Sequence, residues 1–239
     1  LGKLILLYDR NNITIEGDIT TTFDEDIATR FISQGWQVIR VPDANSLNVL
    51  KCAIERAKSD LSRPSIIICN TKIGYGSPLE GSEKSHGAPL GEDNLAKAKE
   101  NLGWTEEPFC VPEDVKAHCL DIAEQKLQTE ERWNELFARY ERAYPELAEK
   151  YKNYMNGYTL DYDELFAKFD FSAPEATRAS SGKILNEIAK IMPNLLSGSA
   201  DLAPSTMTGL KCSGNFSPSN RTGRNIQFGI REHAMAAIC

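Results

Sequence analysis

The chain has 239 residues, 41% of them apolar and 26% charged, with a formal net charge of −7. These proportions are ordinary for a globular protein, and the acidic balance argues against nucleic acid or an anionic membrane surface as the main partner. No apolar run approaches the roughly 20 residues that cross a bilayer. The longest, Leu4-Ile5-Leu6-Leu7 and Ile66-Ile67-Ile68-Cys69, have the length of strands.

The first ninety residues alternate strand and helix patterns. Leu4 to Tyr8 is a continuous apolar run, which predicts a strand buried on both faces. Phe23, Ile27 and Phe31 recur every four residues and predict a helix that Gly35 stops. Trp36 to Val41 predicts a second strand, closed by Pro42. Asn45 or Ser46 can cap a helix whose Leu47, Leu50, Ala53, Ile54 and Ala57 share one face. Pro64 introduces a third strand, Ser65 to Asn70. Short connections between such elements imply an α/β parallel sheet. Its strand carboxyl ends should line one edge, where open sheets of this kind hold ligands.

Residues 73–91 read I-G-Y-G-S-P-L-E-G-S-E-K-S-H-G-A-P-L-G, a loop long enough to be either functional or disordered. Residues 92–170 read as a charged helical linker, in which Trp133, Leu136, Phe137 and Tyr140 have the spacing of a core-packing face. A second α/β pattern starts near Thr177. Ile184, Leu185, Ile188 and Ile191 form one face of a helix ending at Pro193, and a strand then leads into Ser197-Gly198-Ser199-Ala200-Asp201. A loop rich in Gly, Ser and Asn (212–223) precedes the strand Asn225 to Phe228, and Glu232 opens a helix. The six cysteines are scattered without a C-x-x-C pair, so reduced, mostly buried thiols are expected rather than zinc ligands or a disulfide framework. The start on Leu1-Gly2-Lys3 without Met, and the end on Cys239 within a helical pattern, lead us to expect an internal fragment of a longer protein.

The chemistry-bearing residues each have a plain structural reading. Asp9-Arg10-Asn11-Asn12 is turn chemistry. An Asn side-chain oxygen beside a backbone carbonyl is also a donor pair that Mg²⁺ or Ca²⁺ accepts next to a diphosphate. His86 is a lone loop histidine, though its class of side chain relays protons near neutrality. Arg178 is a charge at a helix start, and Glu232 is an acid that complements a helix dipole.

Four segments, taken in order, outweigh those readings: Tyr8-Asp9-Arg10-Asn11-Asn12-Ile13-Thr14-Ile15-Glu16-Gly17; I-G-Y-G-S…H-G-A-P-L from Ile73 to Leu90; Ala176-Thr177-Arg178 with Gly198-Ser199-Ala200-Asp201-Leu202 and Ser205; and F-G-I-R-E-H-A-M from Phe228 to Met235. In content, order and approximate spacing they resemble the motifs of transketolases, which are thiamine diphosphate enzymes. The resemblance spans the whole chain. It implies the parallel-sheet thiamine diphosphate-binding fold, with 1–91 as the C-terminal part of the diphosphate-binding domain, 92–170 as the linker and 171–239 as the start of the pyrimidine-binding domain. It further implies that Asn11 and Ile13 bind Mg²⁺ (or Ca²⁺), that Ile15 packs on thiamine diphosphate, and that Asp201 helps position it. His86 would orient the sugar and handle protons, Arg178 and Ser205 would hold the sugar phosphate, and Glu232 would bond the aminopyrimidine ring of the cofactor from a sequestered carboxyl group. Arg231 would oppose that task unless it points away. The family's G-D-G run, with its metal aspartate, would lie before Leu1. Thr206 stands where many members have Asn. The activity implied is transfer of a two-carbon ketol unit between sugar phosphates, by a homodimer in the cytoplasm or a plastid. Dihydroxyacetone synthase and a non-catalytic transketolase-like fragment are the alternatives, and the isolated chain is expected to be inactive.

Overall fold

The structure is a computed structural model that describes residues 1–239. Its two compact units are Leu1–Ala117 and His118–Cys239. The first is built on three parallel strands in the order β1 (Ile5–Arg10), β5 (Ser65–Asn70), β4 (Gln37–Val41). Between β1 and β4 the chain forms a small antiparallel hairpin, β2 (Ile13–Thr14) with β3 (Gly17–Asp18), and helix α1 (Ile27–Ser33). Helix α2 (Leu47–Ser59) connects β4 to β5.

The sheet is covered by a helix on each face. Ile39, Val41, Ile67 and Cys69 pack with Ala53 and Ala57 of α2, while Ile66 and Ile68 point the other way onto Ala28, Ile27 and Phe31 of α1. The alternation follows from the two-residue period of a strand. It gives β5, flanked by strands and sandwiched by helices, five consecutive buried residues. The ring of Trp36 closes the second face edge-on to Phe31, with centroids 4.9 Å apart.

The expectation for the first apolar run is corrected here. β1, not buried on both faces, is an edge strand, with Leu7 52% exposed. The strand buried on both faces is β5, whose sequence is just as continuously apolar. A run of apolar residues reports strand character, but position in the sheet decides burial. Helix α1 also starts later than the Phe23 spacing suggested, because the Asp26 side chain accepts from the Thr29 N–H and caps it.

Helix α3 (Glu92–Asn101) packs in the first unit, and α4 (Glu113–Ala143) passes from one unit into the other. Beyond it come α5 (Pro145–Asn156) and α6 (Tyr162–Phe166). Phe137 of α4 meets Tyr151 of α5 at 5.3 Å between centroids, beside the buried Ala148. The aromatic spacing on α4 does face a neighbouring helix, yet it is not the core face expected: no residue of α4 is fully buried, and Trp133 and Leu136 are each half exposed. The second α/β pattern comprises α7 (Thr177–Ile191), β6 (Ser197–Ser199), α8 (Ala203–Thr206), β7 (Asn225–Gln227) and α9 (Glu232–Ile238), with β6 and β7 parallel. All six cysteines are free, but only Cys69 is buried, so the expectation of mostly buried thiols is overturned: the others sit on exposed helix faces and loops.

Candidate active site

The strand register places the first group of candidates. Asp9 pairs with Cys69 and Arg10 with Asn70, so β1 and β5 end together, and the chain leaves both on the same edge. Asn11 follows β1 directly. Its Oδ1 accepts the Ile13 N–H at 3.0 Å, and Asn12, at φ 62°, turns the backbone through the left-handed region. Asn is among the few side chains that tolerate this geometry. The turn leaves the Asn11 oxygen one lone pair beyond its Asx bond. Ile13 then opens the small hairpin opposite Asp18, and Ile15 at its tip is 72% exposed.

Loop 73–91 leaves β5 on that same edge, anchored by the Thr71 hydroxyl on the Asp9 carboxylate and the Thr71 N–H on the Arg10 carbonyl. It is neither strand nor disordered coil. Gly74 and Gly76 adopt φ 63° and 80°, and a Cβ on Gly74 would lie 2.6 Å from Ser85 Oγ. The Gly81 N–H donates to the Ile73 carbonyl at 2.8 Å, Ser85 Oγ to the Leu79 carbonyl at 2.6 Å, and Asn101 of α3 reaches the Gly76 carbonyl at 2.8 Å. These bonds fold the loop on itself and present His86, exposed, at the end of the 3₁₀ turn Glu83–Ser85. Asn11 and His86 therefore belong to segments rooted on one sheet edge.

Glu80 braces this loop, a role the sequence did not disclose. Its Oε1 accepts Lys72 Nζ and its Oε2 the Gly76 N–H, both at 2.9 Å. The Gly76 N–H first, then Lys72, hold the carboxyl below its ordinary value of 4.5. A carboxylate with a lowered folded pKa adds stability above the unfolded value and loses it as pH falls through the folded one. Protection of the Gly76 and Gly81 amides from hydrogen exchange should thus hold above about pH 4.5 and fall below it. A Glu80→Gln variant should lose that pH dependence; an unchanged profile would remove Glu80 from the role.

The second group is placed by β6 and β7. Their register, Ser199 against Gln227, ends both strands on one edge, and the Phe228 N–H donates to the Ser199 carbonyl at 3.3 Å. Asp201 follows β6 at φ 59°, a left-handed, non-glycine residue of the kind that marks turns held by their surroundings. The holding bond is Leu202 N–H to the buried Ser199 Oγ at 3.2 Å. Ser205 sits on α8 just beyond, exposed. Arg178 lies in the first turn of α7. One turn later, Gly182 packs so closely on Met207, the residue after α8, that a Cβ there would meet the Met207 carbonyl at 2.8 Å. Arg178, Asp201 and Ser205 thus stand on directly packed elements.

Glu232 is the first residue of α9, reached from β7 through Gly229 at φ 64°. Arg231 does point away: its Nη1 donates to the Phe228 carbonyl at 2.9 Å, in space that any Cβ on Gly229 would enter, 2.8 Å from Nη1. The expected sequestration is not seen in this chain, where Glu232 is exposed, because α9 begins on the open side of a two-stranded pair. The structure brings Arg178, Asp201, Ser205 and Glu232 to one end of the second unit, and Asn11, Ile13, Ile15 and His86 to one edge of the first.

Sequence reasoning passed over Asn225, read only as a strand start. Buried, its Nδ2 donates to the Leu210 and Ser213 carbonyls at 3.0 and 2.8 Å, and its Oδ1 accepts the Leu210 N–H at 2.7 Å. It ties the 208–224 loop to β7. A polar residue in a short strand is the only sequence signal for it.

The donor chemistry suits a cofactor with its own negative charge. Asn11 Oδ1 and the Ile13 carbonyl are neutral oxygens, of the kind a hard cation accepts when a diphosphate supplies the balancing charge. The exposed Ile15 offers an apolar surface beside them.

Two α/β units, each with parallel strands whose carboxyl ends share one edge, define a protein of the open-sheet α/β class. Residues 1–159 match the family model described as "Transketolase, thiamine diphosphate binding domain", and residues 173–239 match "Transketolase, pyrimidine binding domain". The chain belongs to the transketolase family. It is 46% identical to a transketolase of Halalkalibacterium halodurans, over 99% of this chain and 36% of that protein. It is 43% identical to a chloroplastic transketolase of Craterostigma plantagineum, over 100% of this chain and 47% of that one. A crystal structure of the Pichia stipitis transketolase in complex with sedoheptulose-7-phosphate superposes with a TM-score of 0.88 at 34% identity, over 99% of this chain and 36% of that one. The chain thus spans about a third of the length of the first of these relatives. No helix is long and apolar enough to cross a membrane.

Proposed function

We propose that the protein carrying this chain is a transketolase, which moves a two-carbon ketol unit from a ketose phosphate to an aldose phosphate. The observation that carries the reading is the second unit's edge, where β6 and β7 end in register and lead on to the Asp201 turn and to Glu232, the first residue of α9. The Pichia stipitis relative's sedoheptulose-7-phosphate complex is in line with sugar phosphates as substrates.

Thiamine diphosphate, when bound, supplies the carbon nucleophile and the electron sink of this chemistry. The chain's residues divide the remaining work. Asn11 Oδ1 and the Ile13 carbonyl would hold the cation, Mg²⁺ or Ca²⁺, and Ile15 would offer an apolar surface to the cofactor. The Glu232 carboxylate would face a ring nitrogen of the aminopyrimidine and hold its proton, while the Arg231 guanidinium is engaged by the Phe228 carbonyl. Asp201 positions the cofactor. Arg178 offers a guanidinium fork to the sugar phosphate and Ser205 a neutral donor. His86 orients the sugar hydroxyls and takes up or returns protons. The domain limits are those read from the sequence, 1–91, 92–170 and 171–239. We place the reaction in the pentose phosphate pathway or the Calvin cycle, in a homodimer of the cytoplasm or a plastid, as bacterial and chloroplastic relatives suggest.

The test is ketol transfer by the full-length protein, stripped of cofactor and then resupplied. Activity should return only with thiamine diphosphate and a divalent cation together. Transfer that is indifferent to both would refute the reading.

A further inference from the structure

A second cleft in the unit His118–Cys239 serves none of these roles. It has a volume of about 790 Å³ and lies at the amino ends of β6 and β7, where Asn194, Leu196 and Arg224 enter the strands, with α5 forming one wall. The strands being parallel, this is the end opposite Asp201, Ser205 and Glu232.

Its chemistry is one-sided. The chain carries a net charge of −7, yet Lys150, Arg221 and Arg224 line the cleft and no Asp or Glu does. Arg224 is committed to the fold: its guanidinium donates to the Met192 and Ala189 carbonyls, both at 3.0 Å, and closes the C-terminus of α7. The other two cations are not. Lys150 Nζ lies 5.8 Å from the centroid of the Tyr154 ring, and the Arg221 guanidinium 5.5 Å from that of Phe216. A cation resting on an aromatic face keeps its charge for an incoming anion in a way that an ion-paired one does not.

The cleft is also preformed. The segment carrying Phe216 and Arg221 is closed by paired backbone bonds between Ser217 and Asn220 at 3.0 and 3.1 Å, and Asn220 Nδ2 donates to the Asn215 carbonyl at 3.1 Å. Gly223 packs against Asn215 with no room for a Cβ, which would fall 2.2 Å from its carbonyl oxygen.

The geometry points to a binding site for a nucleotide: a phosphate on Arg221 and Lys150, and a planar base against the Phe216 or Tyr154 ring. A bare phosphate or an aldose phosphate would leave both aromatic walls unused, and an uncharged nucleoside would leave the cations unpaired. The volume falls in the range of small-ligand sites. The proposal is independent of the ketol-transfer reading, since none of its residues belongs to that site.

Isothermal titration of the full-length protein with AMP, adenosine and inorganic phosphate tests it. AMP should saturate one site, with an affinity about tenfold or more above each of the other two. Arg221→Ala and Phe216→Leu should each weaken AMP about tenfold, while Arg178→Ala, on the opposite edge, should leave it unchanged. Thermal melting of each variant by circular dichroism confirms that the comparison is between folded proteins, and Lys150→Ala replaces any variant that does not fold. Equal affinity for AMP and inorganic phosphate, absence of saturable AMP binding, or loss of binding in Arg178→Ala would overturn the site.

Discussion

Replacing Glu232 by Ala in the full-length protein is expected to lower kcat by about 10²-fold or more while leaving the KM for the donor sugar phosphate nearly unchanged. The split follows from where the residues sit. Glu232 opens α9 after β7, and the pair proposed to hold the sugar phosphate, Arg178 and Ser205, stands on α7 and α8. Removing the carboxylate removes a proton-sharing group and no sugar contact, so binding of the substrate ground state survives and turnover does not. Arg178→Ala should show the reverse emphasis, with a raised KM. Folding is not the confounder, because Glu232 is exposed and its dipole contribution at a helix start is only about 0.3–1 kcal/mol. Glu232→Gln sharpens the test: it keeps the shape and a hydrogen-bond donor but cannot exchange the proton, and should be nearly as slow as Ala. Normal turnover in either variant would sink the role assigned to Glu232, whatever the fate of the family assignment.

The Arg231 side chain shows how far the sequence could go on its own. That an arginine precedes the glutamate is plain from the text of the chain, and so is the objection that its charge would hold the carboxyl ionised. The resolution, a guanidinium bonded to Phe228 in the space left by a glycine at φ 64°, depends on a backbone angle three residues long in its consequences and has no signature in composition or periodicity. The same contrast runs through the fold. Alternation of β1, α1, β4, α2 and β5 was legible because hydrophobic period and turn residues are local properties. Which of two equally apolar strands is central, β1 or β5, was not, because strand order is set by long-range pairing. Likewise the loop 73–91 was recognisable as important from its residues, while its bracing by Glu80, Lys72 and Asn101 required the fold to bring separate segments together. The aromatic spacing on α4 predicted a helix face correctly and its burial wrongly, since burial depends on what lies across from the face and not on the face itself.

Gly198 supplies the sharpest test of the second unit. In the motif Gly198-Ser199-Ala200-Asp201-Leu202 the glycine looks like turn chemistry, but it lies inside β6, where glycine ordinarily weakens a strand. The structure gives another reason for it: a Cβ at this position would lie 2.4 Å from the Ile226 carbonyl and 2.7 Å from the Phe228 ring. One of those atoms is backbone, so rotamer change cannot relieve the clash, and β6 must move away from β7. Gly198→Ala is therefore expected to destabilise the chain by about 3 kcal/mol, at the upper end of overpacking in a dense core. Gly209→Ala is the matched control, since nothing lies within 4 Å of a Cβ there, and its urea midpoint should stay close to the parent's. The functional consequence follows from the register. Ser199 pairs with Gln227, and the Phe228 N–H reaches the Ser199 carbonyl, so this strand pair fixes the separation between the Asp201 turn and the start of α9. A widened pair shifts Glu232 relative to Asp201 and Ser205, and a displacement of about 1 Å is enough to cost on the order of 10²-fold in rate. Turnover should accordingly fall in Gly198→Ala even at temperatures where the variant is fully folded. A variant that keeps both the parent's urea midpoint and its turnover would show that β6 and β7 are not as closely apposed as the structure has them.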